Sequence, residues 1–223
     1  VEAAKQNNRS LHDVRHPSRE FDVGNGLNRS GKRLLTVGTD VSVGKMFTAL
    51  AVEQEMKKRG FDTDFRATGQ TGIFIAGSGV SIDAVVADFI SGAVEWLCPE
   101  NSENHWDIVE GQGSLFNVSY AGVTLGLIHG SQPDALVVCH EAGRPHMRSM
   151  PHFPLIDLPT CIDVNLQAAR LTNADVRCVG AAINTSRLSE EEGRVFCDKI
   201  SQEIGLPAVD PLRDGVASLV DQI

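Results

Sequence analysis

The run Gly38-Thr39-Asp40-Val41-Ser42-Val43-Gly44-Lys45-Met46 follows directly on the apolar stretch Leu34-Leu35-Thr36-Val37. Its order is strand, glycine loop, helix start, which aims backbone N–H groups and one lysine at a phosphate. Gly38 and Gly44 permit the backbone curl, and Lys45 adds a point charge. Thr39, Asp40 and Ser42 offer bonds within the loop. The residue after the lysine bears on the chemistry. Loops that hold a magnesium nucleotide carry Ser or Thr there, because the hydroxyl ligates the metal. Met46 has no oxygen to offer. The run predicts a bound polyphosphate and counts against ordinary ATP hydrolysis.

Four other places carry groups suited to chemistry. In Ile108-Val109-Glu110-Gly111-Gln112-Gly113-Ser114, a carboxylate ends an apolar strand beside a glycine turn. An acid so placed can orient a metal, a water or a substrate amine. In Arg66-Ala67-Thr68-Gly69-Gln70-Thr71-Gly72, the glycines allow close backbone approach. Thr68, Gln70 and Thr71 supply neutral hydrogen-bonding groups for a small substrate. The run Cys139-His140-Glu141-Ala142-Gly143-Arg144-Pro145-His146-Met147-Arg148 is the most polar of the four. Either histidine could serve as a base near neutral pH, and Arg144 or Arg148 could clamp a carboxylate. Its spacing is not that of a helical zinc motif, so no metal site is expected. Asn184 ends another apolar run, where an amide can read a nucleobase edge. Asp83 and Asp88 lie on a helix expected to open at Ser81; the dipole alone favours an acid at Asp83 in its first turn, and a functional role stands equally beside that.

Alternating strand and helix patterns position these groups. Strands are expected at Arg33–Val37, Asp64–Ala67, Trp106–Val109, Asp134–Cys139, Arg177–Ile183 and Pro207–Val209. Between them, helices are expected at Lys45–Arg59, from Ser81 to Trp96, within Leu155–Leu171, from the Ser189/Glu192 capping box to Ile204, and at Asp214–Val220. Such alternation implies an α/β fold, a mostly parallel sheet with helices on both faces. Ligands of such folds lie at the carboxyl ends of the strands, which selects the loops at 38–45, 68–72, 110–114, 140–148 and 184–188. Residues 1–32, polar and weakly periodic, read as a linker or strap, and 33–223 as one domain.

At 223 residues, with 42% apolar and 22% charged side chains, the chain can bury a core. Its net charge of −9 argues against nucleic acid as a partner. Five scattered cysteines without a CxxC pair suit free thiols in a reducing cytoplasm. No apolar run approaches a membrane span.

Taken together, these residues resemble known families. The 37–46 run resembles the phosphate loop of dethiobiotin synthetase, whose version ends in Lys-Thr; Glu110-Gly111 matches its strand-end acid and Asn184 its nucleobase-reading asparagine. A closer resemblance is to a bacterial family associated with D-glutamate N-acetyltransferases. Ala67-Thr68-Gly69-Gln70-Thr71-Gly72, Val109-Glu110-Gly111-Gln112-Gly113-Ser114-Leu115, Gly122-Val123-Thr124-Leu125-Gly126-Leu127 and Cys139-His140-Glu141 look like its signatures, and Met46 belongs to its pattern. Val41 and Phe47 depart from it, where Cys and a small polar residue are expected.

The resemblance implies an upstream Rossmann-like domain, this P-loop domain, and acetyl transfer from acetyl-CoA to the amine of D-glutamate, a small amino-acid substrate, in a homo-oligomer. The coenzyme A pyrophosphate would lie on Gly38–Met46, with Asn184 also toward the cofactor. Glu110, His140 or Glu141 would be the base, and Thr68, Gln70, Thr71, Gln112, Arg144 and Arg148 would face the substrate. Two alternatives stand beside this one: an ATP-dependent ligase or kinase with magnesium on Glu110 and Asp40, and a nucleotide- or coenzyme-binding module without catalysis.

Overall fold

The computed structural model describes residues 1–17 and 19–223. In chain order the elements are α1 (Glu2–Gln6), β1 (Lys32–Gly38), α2 (Lys45–Lys58), β2 (Thr63–Arg66), α3 (Gln70–Ala76), α4 (Ile90–Leu97), β3 (Trp106–Val109), α5 (Ala121–Ser131), β4 (Ala135–Glu141), β5 (His146–Met147), β6 (Met150–Pro154), α6 (Leu158–Ala169), β7 (Arg177–Asn184), α7 (Glu190–Ile204), β8 (Ala208–Val209) and α8 (Ala217–Val220). Six strands form one sheet in the order β2-β3-β1-β4-β7-β8, every pairing parallel. Strand β1 is central, between β3 and β4, so the chain reverses direction of travel across the sheet there. That reversal opens a crevice at the carboxyl ends of β1, β3 and β4.

Continuous apolar runs such as Ala135-Leu136-Val137-Val138-Cys139 are what a sheet covered on both faces requires. Successive side chains point to opposite faces. Leu35, Val37, Leu136 and Val138 pack with α4, α5 and α6 in one core, and Leu34, Val137 and Cys139 pack with α2 and α8 in the other. Before β1 the chain crosses α4. Arg29 donates to the carbonyls of Glu95, Cys98 and Gly130, and a Cβ on Gly92 would lie 1.9 Å from Asp22 O. Arg29 thus satisfies helix-end carbonyls that would otherwise lack donors.

The fold differs from the sequence-based expectation in five places. The stretch from Ser81 is not one helix: it makes two short 3-10 turns, Ile82–Ala84 and Ala87–Phe89, before α4 begins. Ser81 donates to Asp83 instead of capping a helix. The expected loop at 68–72 runs into α3. Helix α5 was not anticipated, and the loop at 140–148 contains part of the β5–β6 hairpin. The terminal helix is shorter than expected, beginning at Ala217. The Ser189/Glu192 capping box is present at α7 as read.

Candidate functional site

The phosphate loop closes the crevice over β1. A Cβ on Gly38 would stand 2.9 Å from Cys139 O and 2.9 Å from Val43 Cγ2, so the loop leaves the strand with no room for a side chain. Ser42 and Gly44 have φ of +55° and +105°, a left-handed pair of turns that brings N–H groups to one side. Lys45 begins α2 and is 6% exposed, with Nζ donating to Asp40 O at 2.8 Å. Burial pulls its ammonium down to about 8. An anion on the loop would meet a helix N-terminus and a desolvated lysine together.

Asp40 organises the loop from beneath, where it is fully buried. Oδ1 accepts from Asn117 Nδ2 at 2.9 Å, and Oδ2 from Arg144 at 2.9 Å and from Arg148 N at 2.6 Å. Burial would raise its carboxyl, but hydrogen bonds from Asn117, the Arg148 and Val41 amides and Arg144 outweigh it and hold the group below the usual carboxylate range. Arg144 also donates to Val41 O at 2.8 Å and Ser42 O at 3.0 Å, and pairs with Glu141. Ser114 Oγ donates to Gly38 O at 2.8 Å.

Glu110 ends the neighbouring strand and is 3% exposed. Oε2 accepts from Thr68 N at 2.9 Å and Gly69 N at 3.0 Å, and Oε1 from Gln112 Nε2 at 3.2 Å. A Cβ on Gly72 would lie 2.3 Å from Oε2, so α3 approaches this acid only because it carries glycine there. Burial raises the Glu110 carboxyl, against those hydrogen bonds and the charge of Lys45. A carboxylate so placed holds a proton more readily than an ordinary surface acid.

Lys45, Met46, Glu110, Gln112 and Asn184 line one cavity of 440 Å³ with the loop. Through Gly44, Phe47 and Asn184 it adjoins a second cavity of 360 Å³, also lined by Val43, Pro211 and Leu212. Buried Asp210 shapes the wall of this second cavity, accepting from Thr185 N at 3.0 Å and Leu212 N at 2.8 Å. A polar cradle beside a mostly apolar slot suits a phosphate joined to a flat base.

Several expected site residues have other roles here. His140 is set against Thr39 Oγ1 at 3.1 Å and stacks on Phe196; burial lowers it to about 4. It is therefore neutral near pH 7. Glu141 is also a poor base: burial would raise it, but Arg187 and Arg144 hold it below the usual range. Arg144 clamps the protein's own loop instead of standing free for a substrate. Thr68 is fully buried, and its hydroxyl donates to Glu110 O at 2.6 Å, so it positions the acid. Gln70 and Thr71 lie in the first turn of α3, Thr71 exposed. Asn117, Asp210 and Arg187 fall outside the quoted runs and sequence reasoning missed them; Ser114 lies in a quoted run, but its bond to Gly38 O was not anticipated.

Magnesium on Asp40 does not fit this site, because both carboxylate oxygens already accept from protein donors. Among the described residues no cluster of three or more His, Cys, Asp or Glu could hold a metal ion, and no helix is long and apolar enough to cross a membrane. All five cysteines are free, and burial pushes the Cys139 thiol up to about 11.

Comparison with known proteins places these features in context. Residues 22–220 match the family model described as a domain of unknown function, DUF1611_C, P-loop domain. Two curated relatives, from a Pseudoalteromonas species and from Tritonibacter scottomollicae, carry the name D-glutamate N-acetyltransferase. They are 57% and 52% identical over 99% of this chain, which spans 66% of the length of each. A crystal structure of a DUF1611 family protein from Anabaena variabilis is 40% identical with a TM-score of 0.88, covering 94% of this chain and 62% of that one. A nucleotide-binding protein from Archaeoglobus fulgidus, in complex with ADP, is 12% identical with a TM-score of 0.52 over 86% of each chain; it shares the fold alone.

Proposed function

This chain belongs to the DUF1611 P-loop domain family, and from that we propose that it forms the coenzyme-holding and proton-accepting part of a D-glutamate N-acetyltransferase. One observation carries the reading: a phosphate loop whose lysine is followed by Met46 shares a cavity with the buried Glu110, whose carboxyl burial raises. The curated relatives' names supply the reaction class.

The residues present fit coenzyme A. The loop N–H groups and Lys45 would hold its pyrophosphate, and Phe47, Leu212 and Asn184 would face its base. Its acetyl thioester, when bound, supplies the activated acyl group. An amino acid reaches the site as an ammonium, which has no lone pair for attack. Glu110 takes that proton through Oε1, the less encumbered oxygen, leaving a neutral amine to attack the thioester carbonyl. The C–N bond forms, the C–S bond breaks, and a proton from the nitrogen balances the departing thiolate. Gln112 and the Thr68 and Gly69 amides hold the carboxylate in place meanwhile. Free cysteines support a reducing cytoplasm as the setting, and exposed Phe74, Ile75 and Val118 support self-association.

The test follows N-acetyl-D-glutamate by mass spectrometry, with acetyl-CoA, D-glutamate and a chelator present. Product from the wild type is expected. Glu110→Gln should lower kcat by about 100-fold or more while acetyl-CoA still binds. A wild-type rate in that variant would remove Glu110 from the chemistry.

A further inference from the structure

We propose that the cavity beside the β5–β6 hairpin, lined by Ser42, Glu141, Arg144, His146, Arg148 and Arg187, is the carboxylate subsite for the acceptor amino acid, with Arg148 as its clamp. The proposal rests on the acyl-transfer reading above and adds the residue that selects an acidic acceptor.

The cavity measures 580 Å³, within the roughly 300–1,000 Å³ of small-molecule sites. Three guanidinium groups line it against one carboxylate, in a chain whose net charge is −9. Those three cations differ in their commitments. Arg144 is spent on Asp40, Glu141 and two loop carbonyls. Arg187 uses Nε on Glu141, and its side chain stays 56% exposed. The Arg148 guanidinium has no carboxylate within salt-bridge distance among the described residues.

Arg148 is nevertheless held in place. Its backbone N–H donates to Asp40 Oδ2 at 2.6 Å, and it occupies the hairpin turn with Ser149, whose φ is +63°. The structural bond comes from the main chain, which leaves the side chain for a ligand. A planar, permanently charged fork in that position matches a carboxylate through paired hydrogen bonds.

Two parts of the reactants could supply an anion here: a carboxylate of the amino acid or the ribose 3′-phosphate of coenzyme A. The arrangement of cavities favours the carboxylate. The cavity suited to the base shares Gly44, Phe47 and Asn184 with the loop cavity and shares no lining residue with the arginine cavity. The arginine cavity meets the loop cavity at Ser42. An acceptor lying across that lip has its side-chain carboxylate on Arg148 and its amine in the chamber that holds Glu110.

The test compares wild type, Arg148→Met, Arg148→Lys and Arg187→Met. Calorimetry uses D-glutamate, its neutral isostere D-glutamine, acetyl-CoA and 3′-dephospho-acetyl-CoA; steady-state acetylation is followed alongside. Arg148→Met should weaken D-glutamate binding and raise its KM at least tenfold, with D-glutamine and acetyl-CoA changed less than twofold. Partial rescue is expected in Arg148→Lys, and a smaller loss in Arg187→Met. D-glutamate affinity unchanged in Arg148→Met overturns the proposal, as does absence of D-glutamate binding by the wild type. Weakened acetyl-CoA binding alongside unaffected 3′-dephospho-acetyl-CoA also overturns it, assigning the cavity to the 3′-phosphate. Arg148-dependent D-glutamate binding without acetyl transfer upholds the subsite and refutes the reaction.

Discussion

Replacing Asp40 by asparagine tests whether the loop is held from beneath as the structure indicates. The substitution preserves shape and removes one charge. Asp40 accepts from Asn117, Arg144 and the Arg148 amide, all of them donors. An asparagine amide can present its oxygen to only one side, so its NH₂ must face a donor on the other. If it faces Asn117, that side chain must turn over and give up the bond its Oδ1 accepts from Ser119 N. Removing one partner of a buried ion pair costs about 3–5 kcal/mol. Arg144 keeps Glu141, which places the expected loss near the lower end, about 3 kcal/mol. With a urea m-value of about 2–3 kcal/mol/M, the midpoint should fall by about 1–1.5 M.

The pH dependence supplies a second readout of the same variant. Because the Asp40 carboxyl lies below its unfolded value, its contribution is present above the unfolded pKa and is lost as pH falls through the folded one. The Asp40→Asn variant should therefore lose less stability than wild type in that acid range. A urea midpoint within about 0.3 M of wild type, with an unaltered acid limb, would show that Asp40 does not brace the loop.

Three further outcomes are expected. If Lys45 holds the anion as proposed, it does so in its charged form, and burial pulls its ammonium down to about 8, so pyrophosphate affinity should fall about tenfold for each pH unit above that value; calorimetry from pH 6.5 to 9.5 checks this, and a flat profile contradicts it. Gly111→Ala should cost at least about 2 kcal/mol, since its Cβ would lie 1.6 Å from Thr36 O, and a melting temperature matching wild type would count against the strand-end packing. Arg29→Met removes the donor to three carbonyls, so hydrogen exchange around residues 19–31 and at the end of α4 should quicken; unchanged protection would show that the crossing segment does not depend on that anchor.

Much of this site was legible in the sequence because its residue types have few other uses. Gly38, Gly44 and Lys45 between a strand and a helix point to an anion, and Glu110 at a strand end falls at the ligand edge of a parallel sheet. Helix α5 was hidden by Gly122, Gly126 and Gly130, which lower helix propensity. The structure gives the reason for two of them: a Cβ would stand 2.4 Å from Ile90 Cγ2 at Gly126 and 2.4 Å from Ser91 O at Gly130, so they let α5 lie against α4. The stretch after Ser81 has the apolar content of a helix, yet Val85 and Val86 adopt extended backbone that interrupts it. Arg144 and Arg148 could not be separated by type or spacing. Only the fold reveals that one guanidinium is committed to the loop while the other is anchored by its main chain.

The proposed function requires that this loop hold coenzyme A without a loop hydroxyl ligating a metal. Its most direct measurement is a calorimetric titration of the wild type and of Lys45→Ala with acetyl-CoA in the presence of a chelator. Micromolar binding to the wild type, weakened at least tenfold by Lys45→Ala, is the predicted result. No acetyl-CoA binding, together with tight ATP binding that requires magnesium, would assign the loop to a nucleotide and not to coenzyme A.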